Sequence, residues 1–526
     1  MNKLITTFVL TIFWTSSYSQ FGLNWSRDFE AGLVNTFSEG PEIHTDDELL
    51  KVTGIKNTPG GQRLETVVYN LQGEMITSTS YGKDLSNNTI VDYKLGTDHQ
   101  VYLLVQQMLE FYKSKIVLQK YSADGTLLWS DQIQDSSPIS YRPHSIGLTI
   151  DNGIFITGYK ETNYPDSPTD SYEIISVPCL YLYSENGNFI WAREFSNDES
   201  AGFAYKIIIH DENAFLFSYN ARFLKVDPNN NLTIYLTTGL HNGISDVQLS
   251  ADNNFIVTAF TKYKVSKVNL DGLSIWNNEY GTFLPANYFG DQLNAIVQDE
   301  DGNIYVTGKH YGHNLGTPAY TNADILTLKY SSTGTLLWEN RYQYGVNNAD
   351  IGSFISIKNG FVYVGGHSQR LGMASDYDYL ALKINSATGE TTYAYRYNGI
   401  SNGDDLVSSI CILENGNIAL TGYSYMNPLY DWTTQFLADS NLSAHNTYDI
   451  DQVEIAPNPV STGSQLTISG QVQKYKIISL FGQVVQAGNL ENQGMQTIII
   501  DKLVVGLYIL ELEGSGKKII RKLLVK

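Results

Sequence analysis

Residues 293–342 read LNAIVQDEDGNIYVTGKHYGHNLGTPAYTNADILTLKYSSTGTLLWENRY, and this stretch decides the fold of most of the chain. Apolar residues alternate over 294–297, Asp299 to Asn303 makes a turn centred on Asp301-Gly302, and 304–307 is a second β-branched and aromatic run, so the first half reads as a hairpin. A long loop rich in Gly, His, Asn and Tyr follows. Alternation then resumes over 325–330, residues 331–334 turn the chain, and 335–342 supplies a fourth strand carrying Trp338. The unit is one four-stranded antiparallel meander.

Weaker copies fill most of the 526 residues. Second strands recur at 50–54, 101–105, 154–158, 215–219, 255–259, 304–308, 362–366 and 418–422, and four of them end in Thr-Gly. Outer strands are marked by Trp129, Trp191, Trp276 and Trp338, with Tyr395 in the seventh unit. The last unit has only a poor candidate at 442–448, whereas residues 24–29 (NWSRDF) form an orphan outer strand similar to 337–342. The spacing therefore predicts an all-β fold, a β-propeller of eight blades, or seven if the degenerate first unit is misread, with the N-terminal strand completing the last blade. Closure of that kind removes exposed sheet edges. A row of separate sandwiches is disfavoured because a single meander cannot bury both of its faces.

The runs DGNIYVTG, DILTLKY and GTLLWENRY resemble bacterial β-propeller repeats of the SBBP type, closely in units six to eight and loosely in two to five. The resemblance implies a fold and no activity, because function resides in sites and not in folds. GTLLW is also similar to repeats of eight-bladed quinone dehydrogenases, but the adjacent cysteine pair of many such enzymes has no counterpart here. The two cysteines, Cys179 and Cys411, fall in the third and eighth units and lack CxxC spacing. They read either as a disulfide in an oxidising compartment or, more in keeping with two blades that are not neighbours in the ring, as buried free thiols.

Residues 1–19 combine Lys3, an apolar run over 4–14 and small residues Ser17 and Ser19 before Gln20, the pattern of a secretory signal peptide. The apolar run is shorter than the ~20 residues a membrane-spanning helix needs, and no transmembrane segment is expected in the mature chain. The net charge of −20 is uneven: residues 452–526 hold eight Lys/Arg against five Asp/Glu, the leader carries +1, and the region between holds −24. A surface of that sign repels nucleic acid and anionic lipid. Neutral glycans, proteins or cations remain as partners.

After residue 448 the repeat stops. Residues 449–456 read as a linker, and 457–526 as a small β-sandwich of short strands. Three motifs there, Pro457-Asn458-Pro459, the SLFGQV run containing Gly482, and the LVVGLY run containing Gly506 and Tyr508, precede a basic finish with Lys517, Lys518 and Lys526. In this order they closely resemble the type A C-terminal sorting domain of the type IX (Por) secretion system of Bacteroidetes. The resemblance implies export through the periplasm and outer membrane, contact with that machinery, and a final place outside the cell or on its surface. Lys517, Lys518, Arg521, Lys522 and Lys526 are the candidate electrostatic contacts, or else simple solubilising charge.

In a meander of this order the long connections between second and third strands and between units share one rim. Binding usually resides in such loops on a rigid scaffold. The candidate binding residues on this rim are Tyr311, His313, Tyr320, Arg370, Asp376, Tyr425 and Tyr430. Asp324, Asp378 and Asp431 recur immediately before third strands and read either as caps on loop backbone or as an acidic ring for Ca2+. No other cofactor and no metal motif is indicated, and GxSxG, HExxH and P-loop patterns are absent from the sequence. Catalytic residues remain unassigned. The leading reading is a non-catalytic module that binds an extracellular protein or glycan. The alternative is a secreted hydrolase or lyase, for which Asp166, Asp170, Asp376 and Asp404 are the carboxylates to consider.

Overall fold

A computed structural model describes residues 21–526 apart from 34–39, 47–48, 83–86, 97–98, 110–112, 135–139, 163–174, 196–203, 219–221, 237–243, 260–262, 281–290, 312–322, 345–347, 371–375, 400, 402, 427, 440–454, 457–459, 470–472, 480–482, 491–494, 501–502 and 515–516. The expected leader and the weak outer strand at 442–448 lie outside the described residues. The described chain is all strand, and no helix in it is long and apolar enough to cross a membrane. It divides into two compact units, residues 1–440 and 441–526.

Among the described residues, the first unit holds eight four-stranded antiparallel sheets. Blades 1 to 7 each use four consecutive strands, here lettered A to D from the inside outwards; blade 6 consists of Gln292–Gln298, Ile304–Tyr311, Ala323–Tyr330 and Leu336–Tyr342. Blade 8 takes strands A to C from Asp405–Ile412, Ile418–Tyr425 and Tyr430–Asp439, and its strand D is the N-terminal Phe21–Leu33, paired antiparallel from Phe21 with Asp439 to Leu33 with Tyr430. The ring closes where strand A of blade 1, Glu42–Asp46, meets strand A of blade 8. The B strands are buried on both faces because each is sandwiched between neighbouring blades; all of Phe255–Ala259 is buried.

The Thr-Gly pairs have a steric cause. In blades 6 and 8, and in blade 7 where the pair is Gly365-Gly366, the B-strand glycine faces a bulge in strand A, and a Cβ on Gly308, Gly422 or Gly366 would lie within 2.1 Å of a strand A carbonyl oxygen. Only glycine admits that approach.

The outer-strand tryptophans latch each blade to the next. Indole N–H groups of Trp25, Trp129, Trp191, Trp276 and Trp338 donate to carbonyls of Leu71, Glu185, Pro228, Ser332 and Ser386, all in the C–D turn of the following blade, at 2.8 to 3.2 Å. Two residues on, Arg27, Arg193, Asn278 and Asn340 donate a second bond to the same turns. Where the turn carries a positive-φ glycine, at Gly73, Gly187, Gly334 and Gly389, the indole plane covers it so closely that a Cβ would come within 2.8 Å. Trp25 of the N-terminal strand thus grips blade 1 as Trp338 grips blade 7. Blade 7 itself carries Tyr395 instead, and blade 8 has no C–D turn to grip, since its C and D strands come from opposite ends of the chain.

Among its described residues the second unit has seven short strands in two sheets, one of Ile455–Ala456, Gln465–Ser469 and Met495–Ile499, the other of Val484–Asn489, Lys474–Ser479, Gly506–Gly514 and Lys517–Val525. Leu466, Ile468, Ile477, Leu510, Leu512 and Leu523 form their shared core. Ile455–Ala456, read above as linker, pairs with Gln465–Ser469. Pro457, Asn458, Pro459 and Gly482 lie outside the described residues. The Tyr508 hydroxyl donates to the Val504 carbonyl at 2.7 Å across the bend at Val505, just before Gly506 opens its strand, and Lys526 is exposed. Lys517 and Lys518 begin the edge strand.

Candidate binding site

The short A–B and C–D turns occupy one rim. At Asp299 both carboxylate oxygens are used locally, accepting the Asn303 N–H at 2.7 Å, the Asn303 amide at 2.9 Å and the Tyr305 hydroxyl at 2.9 Å. The opposite rim is higher than the sequence indicates, because strand pairing continues into segments read as loops. Tyr311 pairs with Ala323, Gln369 with Tyr377 and Tyr425 with Tyr430, so the loop expected over 309–323 narrows and Tyr311, Tyr425 and Tyr430 stand on strand ends. The β-branched and aromatic content of these ends favours continued pairing.

A row of polar residues crosses the upper end of each of the last three blades: Asp291, His310 and Asp324 in blade 6; Asp350, Ser368 and Asp378 in blade 7; Asp405, Ser424 and Asp431 in blade 8. Each third-strand aspartate is occupied within the protein. Asp324 pairs with Arg341 at 3.2 Å, and Asp378 is held between Arg396 at 2.8 Å and Arg370 at 3.2 Å. Asp431 accepts the backbone N–H groups of Ala31 at 2.9 Å and Gly32 at 3.1 Å, which fastens the N-terminal strand. These contacts favour the capping and pairing reading of the three aspartates over a ring around a cation. Among the described residues no three His, Cys, Asp or Glu side chains are placed to hold a metal ion.

The first-strand aspartates clamp the connections between blades. Asp350 accepts the Tyr344 N–H at 2.6 Å and the Ser368 hydroxyl, which Arg396 in turn contacts; Asp405 accepts the Gly399 N–H at 2.5 Å. Burial pushes both carboxyls up to about 6, with their hydrogen bonds opposing it. Because the folded values exceed the unfolded ones, the folded state binds extra protons between pH 4 and 6. The associated stability is therefore present at low pH and lost as pH rises through about 6. The depressed carboxylates, Asp252 at about 2 among them, add slope only near and below the unfolded carboxylate value, whereas His367, pushed down to about 4 by burial, and His144, also lowered by burial, act in the opposite direction because the unfolded state protonates them first. The raised aspartates are therefore read by difference between variants: on going from pH 5 to pH 7.5, Asp350→Asn is expected to gain about 1 kcal/mol of stability relative to wild type in thermal unfolding. An unchanged slope in the variant would contradict the assignment.

The candidate residues converge between blades 7 and 8. Arg370 Nη2 bonds Asn398 Oδ1 at 2.6 Å, its Nη1 lies 3.9 Å from Asp376 Oδ2, and its N–H donates to the Asp376 carbonyl at 2.8 Å. On the next residue but one, Asp378, the Arg396 guanidinium is anchored while stacking 3.6 Å over the Tyr344 ring. Asp404 stands at the corner between the two blades. Its Oδ1 accepts the Tyr377 N–H at 3.0 Å, its carbonyl accepts the Tyr425 N–H at 3.0 Å, and the Tyr425 ring packs on Gly403. Tyr425 and Tyr430 form a tilted pair with ring centroids 5.2 Å apart. Burial raises the Asp404 carboxyl above the ordinary carboxylate range, and the charge of Asp376 adds to it. Burial also raises Tyr377 and Tyr430, with Asp404 next in each case; Tyr311 of blade 6 acts on Tyr377 as well.

Arg370, Asp376, Tyr425 and Tyr430 are thus brought to one corner, with Tyr311 on the adjoining blade, while His313, Tyr320, Asp166 and Asp170 lie outside the described residues. Sequence reasoning did not single out Tyr377, Tyr344, Asn398 or Arg396 for this site, and Asp404 entered only as one carboxylate of four. The available signal was position: Asp404 immediately precedes strand A and Tyr377 opens strand C. Cys179 and Cys411 are free thiols, and burial pushes the Cys179 thiol up to about 11.

Residues 454–526 match the family described as the secretion system C-terminal sorting domain. Such a tail implies export by the type IX secretion system across the outer membrane, to the cell surface or the extracellular space. No curated protein matches the chain. Among solved structures it is similar to the C-terminal WD40 domain of Sif2 (12% identity, 79% of this chain and 98% of that one, TM-score 0.47). It is similar also to Sqt1 of Saccharomyces cerevisiae (9%, 78% and 97%, 0.47) and to a europium-containing methanol dehydrogenase (9%, 80% and 94%, 0.46).

Proposed function

We propose that the chain is an exported carbohydrate-binding propeller whose ligand sits at the corner of blades 7 and 8. The observation that carries this reading is the half-buried Tyr425–Tyr430 pair beside a half-buried carboxylate, Asp404, with Tyr377 behind it. Aromatic faces stack on the apolar faces of sugars, and fixed polar groups beside them select hydroxyl positions. The strongly acidic passenger argues for a glycan without phosphate, sulfate or carboxylate groups. The repeats that resemble the SBBP type and the type A tail of Bacteroidetes fit a protein delivered to the outside of such a cell.

One observation favours a second reading, a glycoside hydrolase or lyase. Asp404 is an acid with a raised pKa near the charge of Asp376, and a general acid needs such an environment. Electrophoresis of the leaderless chain through gels containing neutral polysaccharides tests both. Retarded migration in at least one polysaccharide is expected, with Tyr425→Ala weakening it about tenfold, or ~1.4 kcal/mol. Unretarded migration in all of them would sink the carbohydrate reading. Release of reducing ends that ceases in Asp404→Asn would replace the binding reading with the hydrolytic one.

A further inference from the structure

Resting on the carbohydrate reading, we infer that the corner of blades 7 and 8 takes the primary ammonium group of an amino sugar. The carboxylates around it are not equivalent. Asp378 is neutralised by Arg396 and Arg370, Asp350 takes the Ser368 hydroxyl and the Tyr344 N–H, and Asp405 takes the Gly399 N–H. Asp376 lies 3.9 Å from Arg370. Asp404 differs. It has one backbone donor on Oδ1, and among the described residues its Oδ2 carries no hydrogen bond and it joins no salt bridge.

Asp404 adjoins three tyrosines. The Tyr377 N–H donates to Asp404 Oδ1, the Tyr425 N–H donates to the Asp404 carbonyl, and the Tyr425 and Tyr430 rings form a tilted pair, their planes 60° apart. A carboxylate with an oxygen not engaged by the described residues, next to an aromatic pair, complements a compact cation that also carries C–H surface. The charge pairs with the carboxylate and is attracted by the ring faces. An ammonium donates three hydrogens, and Asp404 Oδ2 is the acceptor available for one of them. Arg370 is the nearest cation and opposes this, but its fork is already engaged by Asp378, Asn398 and Asp376. A uronic acid or sulfated sugar would meet the acids with like charge, and a plain hexose would bring no charge for Asp404 to pair with.

Binding of the leaderless chain to a glucosamine hexamer, an N-acetylglucosamine hexamer and a lysine hexamer, measured by titration calorimetry for wild type and Asp404→Asn, tests this. The free-amine hexamer is expected to bind at least about tenfold more tightly than the acetylated one. The advantage should vanish in Asp404→Asn with an unchanged Tm. The variant alters the −24 of the passenger by one charge, so attraction by overall charge would survive it. Equal affinity for the two sugar hexamers, or an unaltered preference in the variant, would overturn the ammonium site while leaving the carbohydrate reading intact. A lysine hexamer bound as tightly as the glucosamine hexamer would overturn the sugar assignment. Failure of both sugar hexamers together with every neutral polysaccharide would overturn both readings.

Discussion

A chain lacking residues 454–526 accumulates in the periplasm and is lost from the cell surface and the medium. The expectation follows from the family match over those residues and from the physical separateness of the second unit, which has its own core of Leu466, Ile468, Ile477, Leu510, Leu512 and Leu523 and can be removed without opening a blade. The passenger's stability should barely change, which separates a sorting defect from a folding defect. Fractionation of cells expressing full-length and truncated chains, with Tm measured on the purified passengers, reads both quantities. Normal surface delivery of the truncated chain would refute the assigned role of the tail.

Trp25→Ala unfolds the ring at its seam, and the expected loss is about 3–5 kcal/mol. Trp25 is buried, stacks on Phe436 at 5.7 Å, lies 5.8 Å from Tyr69, covers Gly73 and donates to the Leu71 carbonyl at 2.9 Å. It therefore joins the first strand to blade 8 on one side and to blade 1 on the other. Trp338→Ala removes the same kind of latch at a seam where the backbone is continuous, between blades 6 and 7. The two variants should differ. Loss of Trp25 should free Phe21–Leu33 for proteolysis and expose the Tyr430–Asp439 edge to aggregation, whereas loss of Trp338 should lower the Tm without selective cleavage near the N-terminus. Similar cleavage patterns in both variants would contradict the closing role of the first strand.

Much of this architecture can be read from the amino-acid order, because each blade repeats its own short-range chemistry. The Asp-Gly and Asn-Gly turns, the Thr-Gly pairs and the outer tryptophans are local signals, and NWSRDF could be matched to LLWENRY by inspection. What the tryptophans do was hidden. Their hydrogen-bond partners lie 37 to 56 residues away in the next blade, and no periodicity within one blade reveals them. The site was readable to the same extent. Tyr425, Tyr430, Arg370 and Asp376 are conspicuous polar and aromatic residues near loops. Tyr377 and Asp404 gain meaning only when the D–A connection of blade 7 brings Asp404 against the first residue of a strand 27 positions earlier. The loop assignment of Tyr311 failed for a related reason: aromatic strand ends continue pairing as long as a partner stands opposite.

The claim that the blade 7 and 8 corner is a carbohydrate site is tested most directly by a glycan array probed in parallel with residues 20–526 and the Tyr430→Ala variant of the same chain. The account predicts that the wild-type chain retains at least one uncharged or amine-bearing glycan and that the variant, folded to the same Tm, loses it. An array on which the wild-type chain retains nothing, or on which both chains retain the same glycans equally, would contradict it.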